Sequence, residues 1–201
     1  AGRAGNVAMA SVLNGLDGLR SNSLAAVDRN YIVQTVAHSA LMGARGNSGV
    51  ILSQIVRGAA EVLSTRRGEL IGPALVRDAL ARASEEAWNS MADPHEGTML
   101  TVIREIHGAV AAKVDELELR ELPRDAAEAE QDAMLAELMV TAIAAGQEAL
   151  ERTPEQLDVL AEAGVVDAGA YGLLVILAGL VAGLTGQEAG DSPVPHQTAS
   201  P

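Results

Sequence analysis

Gly43-Ala44-Arg45-Gly46-Asn47-Ser48-Gly49-Val50-Ile51-Leu52-Ser53-Gln54 runs from a glycine-rich turn directly into a helical pattern. Ile51, Ile55, Val56, Ala59 and Val62 fall on one face of a helix that begins after Gly46. Such a turn sets unpaired backbone N–H groups and a positive dipole end where an anion could dock. It also fits a plain tight connection in which Asn47 or Ser48 caps the helix. It is not a Walker loop, because the lysine and Ser/Thr of that motif are missing.

Helical spacing continues on both sides of this turn. Upstream, Val12, Leu16 and Leu19 recur between Asn6 and Leu19, and Asp28 can cap a helix through Ile32, Val36 and Leu41 to Gly43. Downstream, Pro73 suits the first turn of a helix through Leu75, Ala79 and Ala83 to Trp88. After Asp93-Pro94, Met99, Ile103, Ile106 and Val110 mark a helix starting near Gly97 or Thr98. Residues Glu116 to Asp132 are acidic and interrupted by Pro123, which predicts a loop leading to a helix through Leu135, Leu138 and Ile143. Pro154 opens a short helix closed by Gly164, and a last one runs from about Ala168 to Leu184. The expectation is an all-α protein, an antiparallel helical barrel or bundle of about seven to eight helices. It forms one domain over 1–186, followed by a disordered tail or linker over 187–201, where Gly, Pro, Ser and Thr dominate.

Composition agrees with packed helices. Hydrophobic residues make up 48% of the 201 residues, yet there is no Phe, one Trp and two Tyr, so the core must come from Ala, Leu, Val, Ile and Met. A formal charge of −13, with Lys113 the only lysine, disfavours nucleic acid as a partner. The absence of cysteine excludes a disulfide scaffold, a thiolate zinc site and a cysteine nucleophile, and fits a cytoplasmic protein. The apolar run Leu173 to Leu184, broken by Gly179 and Gly183, reads as a buried helix too short to span a bilayer, so no transmembrane segment is expected.

Two further glycine turns open helices. His95-Glu96-Gly97-Thr98-Met99 places a hydroxyl in the first turn, and its Asp93, His95 and Glu96 fit either a solvated loop or metal ligation. Gly164-Val165-Val166-Asp167-Ala168-Gly169 sets one carboxylate at a helix start, where it fits an N-cap. Three such starts in a small all-α protein would form an anion pocket if they converged at one end of the bundle.

Taken in order, Ala40 to Gln54, Glu96 to Val102, Arg152-Thr153-Pro154 and Val165 to Gly169 resemble the amino-terminal domain of bacterial fatty-acid kinases. More distantly, the chain is similar to the L subunit of dihydroxyacetone kinase. The resemblance spans about residues 1 to 186. It implies an eight-helix barrel that binds ATP or ADP at one end, with magnesium ions on an aspartate-rich loop bridging the phosphates. The phosphoryl acceptor would be an acyl carboxylate on a separate lipid-carrier protein, or a triose held by a companion kinase subunit or domain. A homo-oligomer is compatible with the sequence.

Carried over by position, Asn47, Ser48 and Gly49 would meet the phosphates, Thr98 and Met99 would line the nucleotide pocket, and Asp167 and Gly169 would close it. Arg152 is a further candidate whose place in the motif is looser. The family's loop, approximately Asp-Gly-Asp-Thr-Gly-x-Asn, falls on Ala1-Gly2-Arg3-Ala4-Gly5-Asn6, and the family's helix before it has no counterpart here. Gly5 and Asn6 are retained as nucleotide-binding candidates, but Ala1 and Arg3 replace the carboxylates and offer magnesium no oxygen ligand. No metal ligand and no catalytic residue is therefore assigned. Two functions fit: the ATP/ADP-binding domain of such a phosphotransferase with a degenerate metal loop, or a non-catalytic nucleotide-binding or scaffold module that partners a lipid carrier or kinase subunit. Arg3 could contact a phosphate directly, favouring binding without metal-assisted transfer.

Overall fold

The computed structural model describes residues 28–65, 70–118, 121–123 and 126–186. The sequence readings for the Asn6–Leu19 helix, the Ala1–Asn6 loop with Gly5 and Asn6, and the 187–201 tail lie outside these residues. Eight helices and no strand occur among the described residues. They are α1 (Arg29–Gly43), α2 (Gly46–Leu63), α3 (Pro73–Asn89), α4 (Met99–Glu116), α5 (Glu128–Glu151), α6 (Thr153–Gln156), α7 (Asp158–Ala163) and α8 (Ala168–Thr185).

The long helices pack in chain order, α1 on α2, α2 on α3, α3 on α4, α4 on α5 and α5 on α8, with α4 also touching α8. This order and the short connections make an antiparallel bundle, the all-α class that the periodicity predicts. Helix α4 is its axis. Val102, Ile106, Val110 and Val114 have no exposed surface, and Leu100 and Ile103 are nearly as deep. Leu138 and Ile143 of α5 and Leu174 and Leu177 of α8 close over them. Burying each such aliphatic side chain contributes about 1.5–3 kcal/mol, so this stripe carries much of the fold's stability.

Two helix pairs approach closely at a glycine. A Cβ on Gly58 of α2 would stand 2.6 Å from the Arg82 carbonyl oxygen and 2.9 Å from Ala83 Cα of α3. A Cβ on Gly146 of α5 would overlap Leu174 of α8 and crowd Ile106 of α4.

Helix boundaries differ from the sequence reading in two places. Helix α5 starts at Glu128, so the end of the expected 116–132 loop is helical. Its acidic first turn suits a helix N-terminus, and the Ala127 N–H donates to Glu130 Oε2 at 3.4 Å. The single helix expected after Pro154 is two short ones, separated at Leu157, which is extended (φ −137°, ψ 104°). Gly164 ends the second in the left-handed region (φ 62°), as its position as a C-terminal glycine predicts.

The apolar run Leu173–Leu184 sits within the longer α8. By length and composition α8 (18 residues, mean hydropathy 2.0) and α5 (24 residues, 1.3) are both long and apolar enough to cross a membrane. Each contributes residues to the common core, while Val175 and Leu180 of α8 face outward.

Candidate functional site

Three helix N-termini meet at one end of the bundle. A Cβ placed on Gly169, the second residue of α8, would lie 3.2 Å from Ser48 Oγ of α2, 3.0 Å from Met99 Cε of α4 and 3.2 Å from Asp167 Oδ2. Ser48, Met99, Asp167 and Gly169 therefore share one small volume, although 51 residues separate Ser48 from Met99 and 68 separate Met99 from Asp167 (99 − 48 and 167 − 99). Asn47 and Gly49 flank Ser48 on the first turn of α2, and Thr98 precedes Met99.

The three starts are not equivalent. Thr98 caps α4, its hydroxyl accepting from Leu100 N at 3.3 Å and donating to the His95 carbonyl at 2.8 Å. Asp167 caps α8, Oδ2 accepting from Ala170 N at 2.8 Å. This is the N-cap that its sequence position suggests. Helix α2 has no side-chain cap. Arg45, at its N-cap position, turns back on α1 and donates to the carbonyls of Met42 (3.2 Å) and Ala44 (2.7 Å). Gly46 follows in the left-handed region (φ 62°), which Asn47 and Ser48 themselves do not adopt. The first-turn amides of α2 thus keep their positive dipole end without a carboxylate or hydroxyl cap, whereas Asp167 offsets that of α8.

Behind this end, two buried threonines tie the turns together. Thr101 Oγ1 accepts from Gly97 N at 2.9 Å and donates to Glu96 Oε2 at 2.6 Å. Glu96 also pairs with Arg104 through both oxygens at 2.7 and 2.8 Å, and Arg104 lies 4.9 Å over the ring of Trp88. The Arg104 guanidinium, followed by the Thr101 hydroxyl, outweighs partial burial and holds the Glu96 carboxyl below the usual range. Thr153 Oγ1 donates to the Leu150 carbonyl at 2.7 Å and accepts from Asp167 N at 3.1 Å. Gly97 (φ 73°) abuts the Thr153 carbonyl so closely that a Cβ would come within 2.8 Å of it. The sequence reading treated Thr101 and Thr153 only as parts of longer motifs. The available signal was a hydroxyl placed inside an apolar helical stripe or just before a helix-opening proline.

The other candidates separate. Arg152 is half exposed, and its guanidinium reaches Glu105 Oε2 of α4 at 4.0 Å. Asp93 and His95 pair at 3.3 Å but are largely solvent-exposed, and Glu96 is held by Arg104 and Thr101. Among the described residues no group of three or more His, Cys, Asp or Glu side chains could hold a metal ion. These described residues offer magnesium no cluster of hard oxygen ligands.

An all-helical domain with an end-on site made of one bare and two capped helix N-termini is the class that this geometry defines. The chain matches the DAK2 domain over residues 2–136 and 119–182, and it belongs to that family. Among curated proteins, it is 36% identical over 154 residues to an uncharacterized protein of Staphylococcus saprophyticus and to another of Staphylococcus haemolyticus. A Staphylococcus epidermidis protein, also uncharacterized, is 37% identical over 155 residues. Each match covers 77% of this chain and 25% of the relative, so the chain spans about a quarter of the length of the curated relatives it matches.

Proposed function

We propose that this domain binds ATP or ADP at the end where α2, α4 and α8 begin, as the nucleotide-binding part of a kinase of the dihydroxyacetone-kinase and fatty-acid-kinase type. The observation that carries the reading is the placement of the uncapped N-terminus of α2 beside Met99 and Gly169. The phosphates lie against the amides of Asn47, Ser48 and Gly49, with the Asp167 carboxylate of the same small volume turned to its own helix at Ala170 N. Met99 gives an apolar face for a sugar or base, Gly169 lets the first turn of α8 pack close against Ser48, and Thr98 and Asp167 fix these turns through their caps. By their place in the motif, Gly5 and Asn6 are further nucleotide-binding candidates of this reading. The domain works in the cytoplasm, with its phosphoryl acceptor presented by a lipid-carrier protein or companion kinase domain.

A second reading, a non-catalytic nucleotide-binding or scaffold module, draws support from the donor set, since neither the described residues nor Ala1 and Arg3 supply a magnesium cage. Calorimetric titration of ADP and ATP, with and without magnesium, tests both. Binding strengthened by magnesium favours the kinase, metal-indifferent binding favours the module, and no binding of either nucleotide at millimolar concentration refutes the site.

A further inference from the structure

We propose that Thr153 and Thr101 are positioning residues of the nucleotide site, locking the turns before α8 and α4 into the arrangement that brings Asp167, Gly169 and Met99 to Ser48. This rests on the nucleotide reading given above. The buried polar side chains among the described residues are Ser53, Ser84, Thr101 and Thr153. Ser53 serves only its own helix, donating to the Val50 carbonyl at 2.7 Å. The two threonines behave differently, since each uses its hydroxyl both to donate and to accept and each bonds the backbone N–H of a turn that opens a site helix.

The Thr153 bond to Asp167 N bridges 14 residues, from the first residue of α6 to the N-cap of α8. It fixes the backbone of the residue whose carboxylate caps α8 and stands beside Gly169. Thr101 holds Gly97 N, and Gly97 in turn packs on the Thr153 carbonyl. The contacts Thr101, Gly97, Thr153 and Asp167 therefore form one continuous strut across the rear of the site, and Thr153 is fully enclosed within it. Without the Thr153 hydroxyl, the Asp167 N–H loses its partner, and the α8 turn is free to find another one by moving.

The test compares Thr153→Val, which keeps the shape and deletes the hydroxyl, with Thr153→Ser, which keeps the hydroxyl and deletes a buried methyl. ADP is titrated calorimetrically into the full 201-residue chain, and thermal unfolding is followed in parallel. Thr153→Val is expected to weaken ADP by about tenfold or more, as loss of the buried bond from Asp167 N implies. Thr153→Ser should restore affinity to within about threefold of the parent even if its melting temperature falls as far as that of the valine variant. Affinity that follows melting temperature in both variants, or is unchanged in Thr153→Val, overturns the inference while leaving nucleotide binding intact. A parent chain that binds neither ADP nor ATP removes the nucleotide reading and this inference together. If Thr153→Val does not fold, amide exchange in the parent and in Thr153→Ser decides. The Asp167 and Gly97 amides are expected to exchange slowly, and exchange at open-loop rates in the parent overturns the strut.

Discussion

Replacing Gly169 by alanine separates a structural glycine from a binding glycine. The new methyl would meet Met99 Cε at 3.0 Å and Asp167 Oδ2 and Ser48 Oγ at 3.2 Å, with no backbone atom among these neighbours. The first contact is the free end of a flexible side chain, which can yield by a few tenths of an ångström. Gly169 does not occupy the left-handed region, and alanine gains up to about 1 kcal/mol over glycine within a helix, less in the first turn. Crowding and propensity nearly offset, so stability should stay within about 1 kcal/mol of the parent, a change in Tm of at most about 4 °C for a domain of this size. Binding should respond differently. The methyl must push Ser48 and Met99 aside by a few tenths of an ångström at the turn proposed to meet the phosphates, and a distortion of about 1–3 kcal/mol there weakens affinity by roughly fivefold to a hundredfold. Calorimetric titration with ADP, beside a thermal melt, reads both quantities. Parent-like affinity in a folded Gly169→Ala protein would refute the placement of nucleotide between α2 and α8.

Gly58→Ala should act in the opposite sense, on stability, because its Cβ strikes the backbone of Arg82 and Ala83; a net loss of roughly 1–2 kcal/mol after the helix-propensity gain lowers Tm by about 2–8 °C, and an unchanged melt would show that α2 and α3 slide apart freely. Burial first, and then the nearby Arg77 guanidinium, push His107 below its ordinary value of 6.5, so the unfolded chain takes up the proton first. Stability from this group is full above about pH 6.5 and is lost as pH falls through the folded value, and His107→Gln should flatten that part of the stability profile measured by chemical denaturation. Glu96 is depressed chiefly by its hydrogen bonds from Arg104, so its contribution is present above its ordinary value of 4.5 and is lost as pH drops through the lower folded value. NMR titration of the Glu96 carboxyl should show its midpoint rising in Arg104→Gln, and a midpoint that stays put would mean that Thr101 alone accounts for the depression.

The fold was legible because the core is written in helical intervals. Met99, Ile103, Ile106 and Val110, spaced four, three and four, are all nearly or fully buried on α4. Pro73, Asp28 and Gly164 mark ends where the chain in fact turns, since each carries a backbone preference that no distant contact opposes. The start of α5 was hidden because Glu128 and Glu130 resemble a solvated loop in composition, although acids are also favoured in a first helical turn. The break at Leu157 has a tertiary cause: Gly97 packs against the backbone of Thr153 and the side chains of Gln156 and Leu157, a contact between segments more than fifty residues apart. For the same reason the strut through Thr101 and Thr153 could not be read from spacing, which specifies a helix face but not the partner of a hydroxyl.

The site also shows how one local motif can have two uses. All three glycine turns open helices, and each carries a hydroxyl or carboxylate near the cap position. In α4 and α8 that group closes on its own helix, taking one first-turn amide each, Leu100 N and Ala170 N. In α2 the residue at the cap position is Arg45, whose guanidinium instead satisfies carbonyls at the end of α1. The choice between cap and anion site therefore depends on where one side chain finds its partners, and under the proposed reading it would set phosphates toward α2 and the less polar part toward Met99.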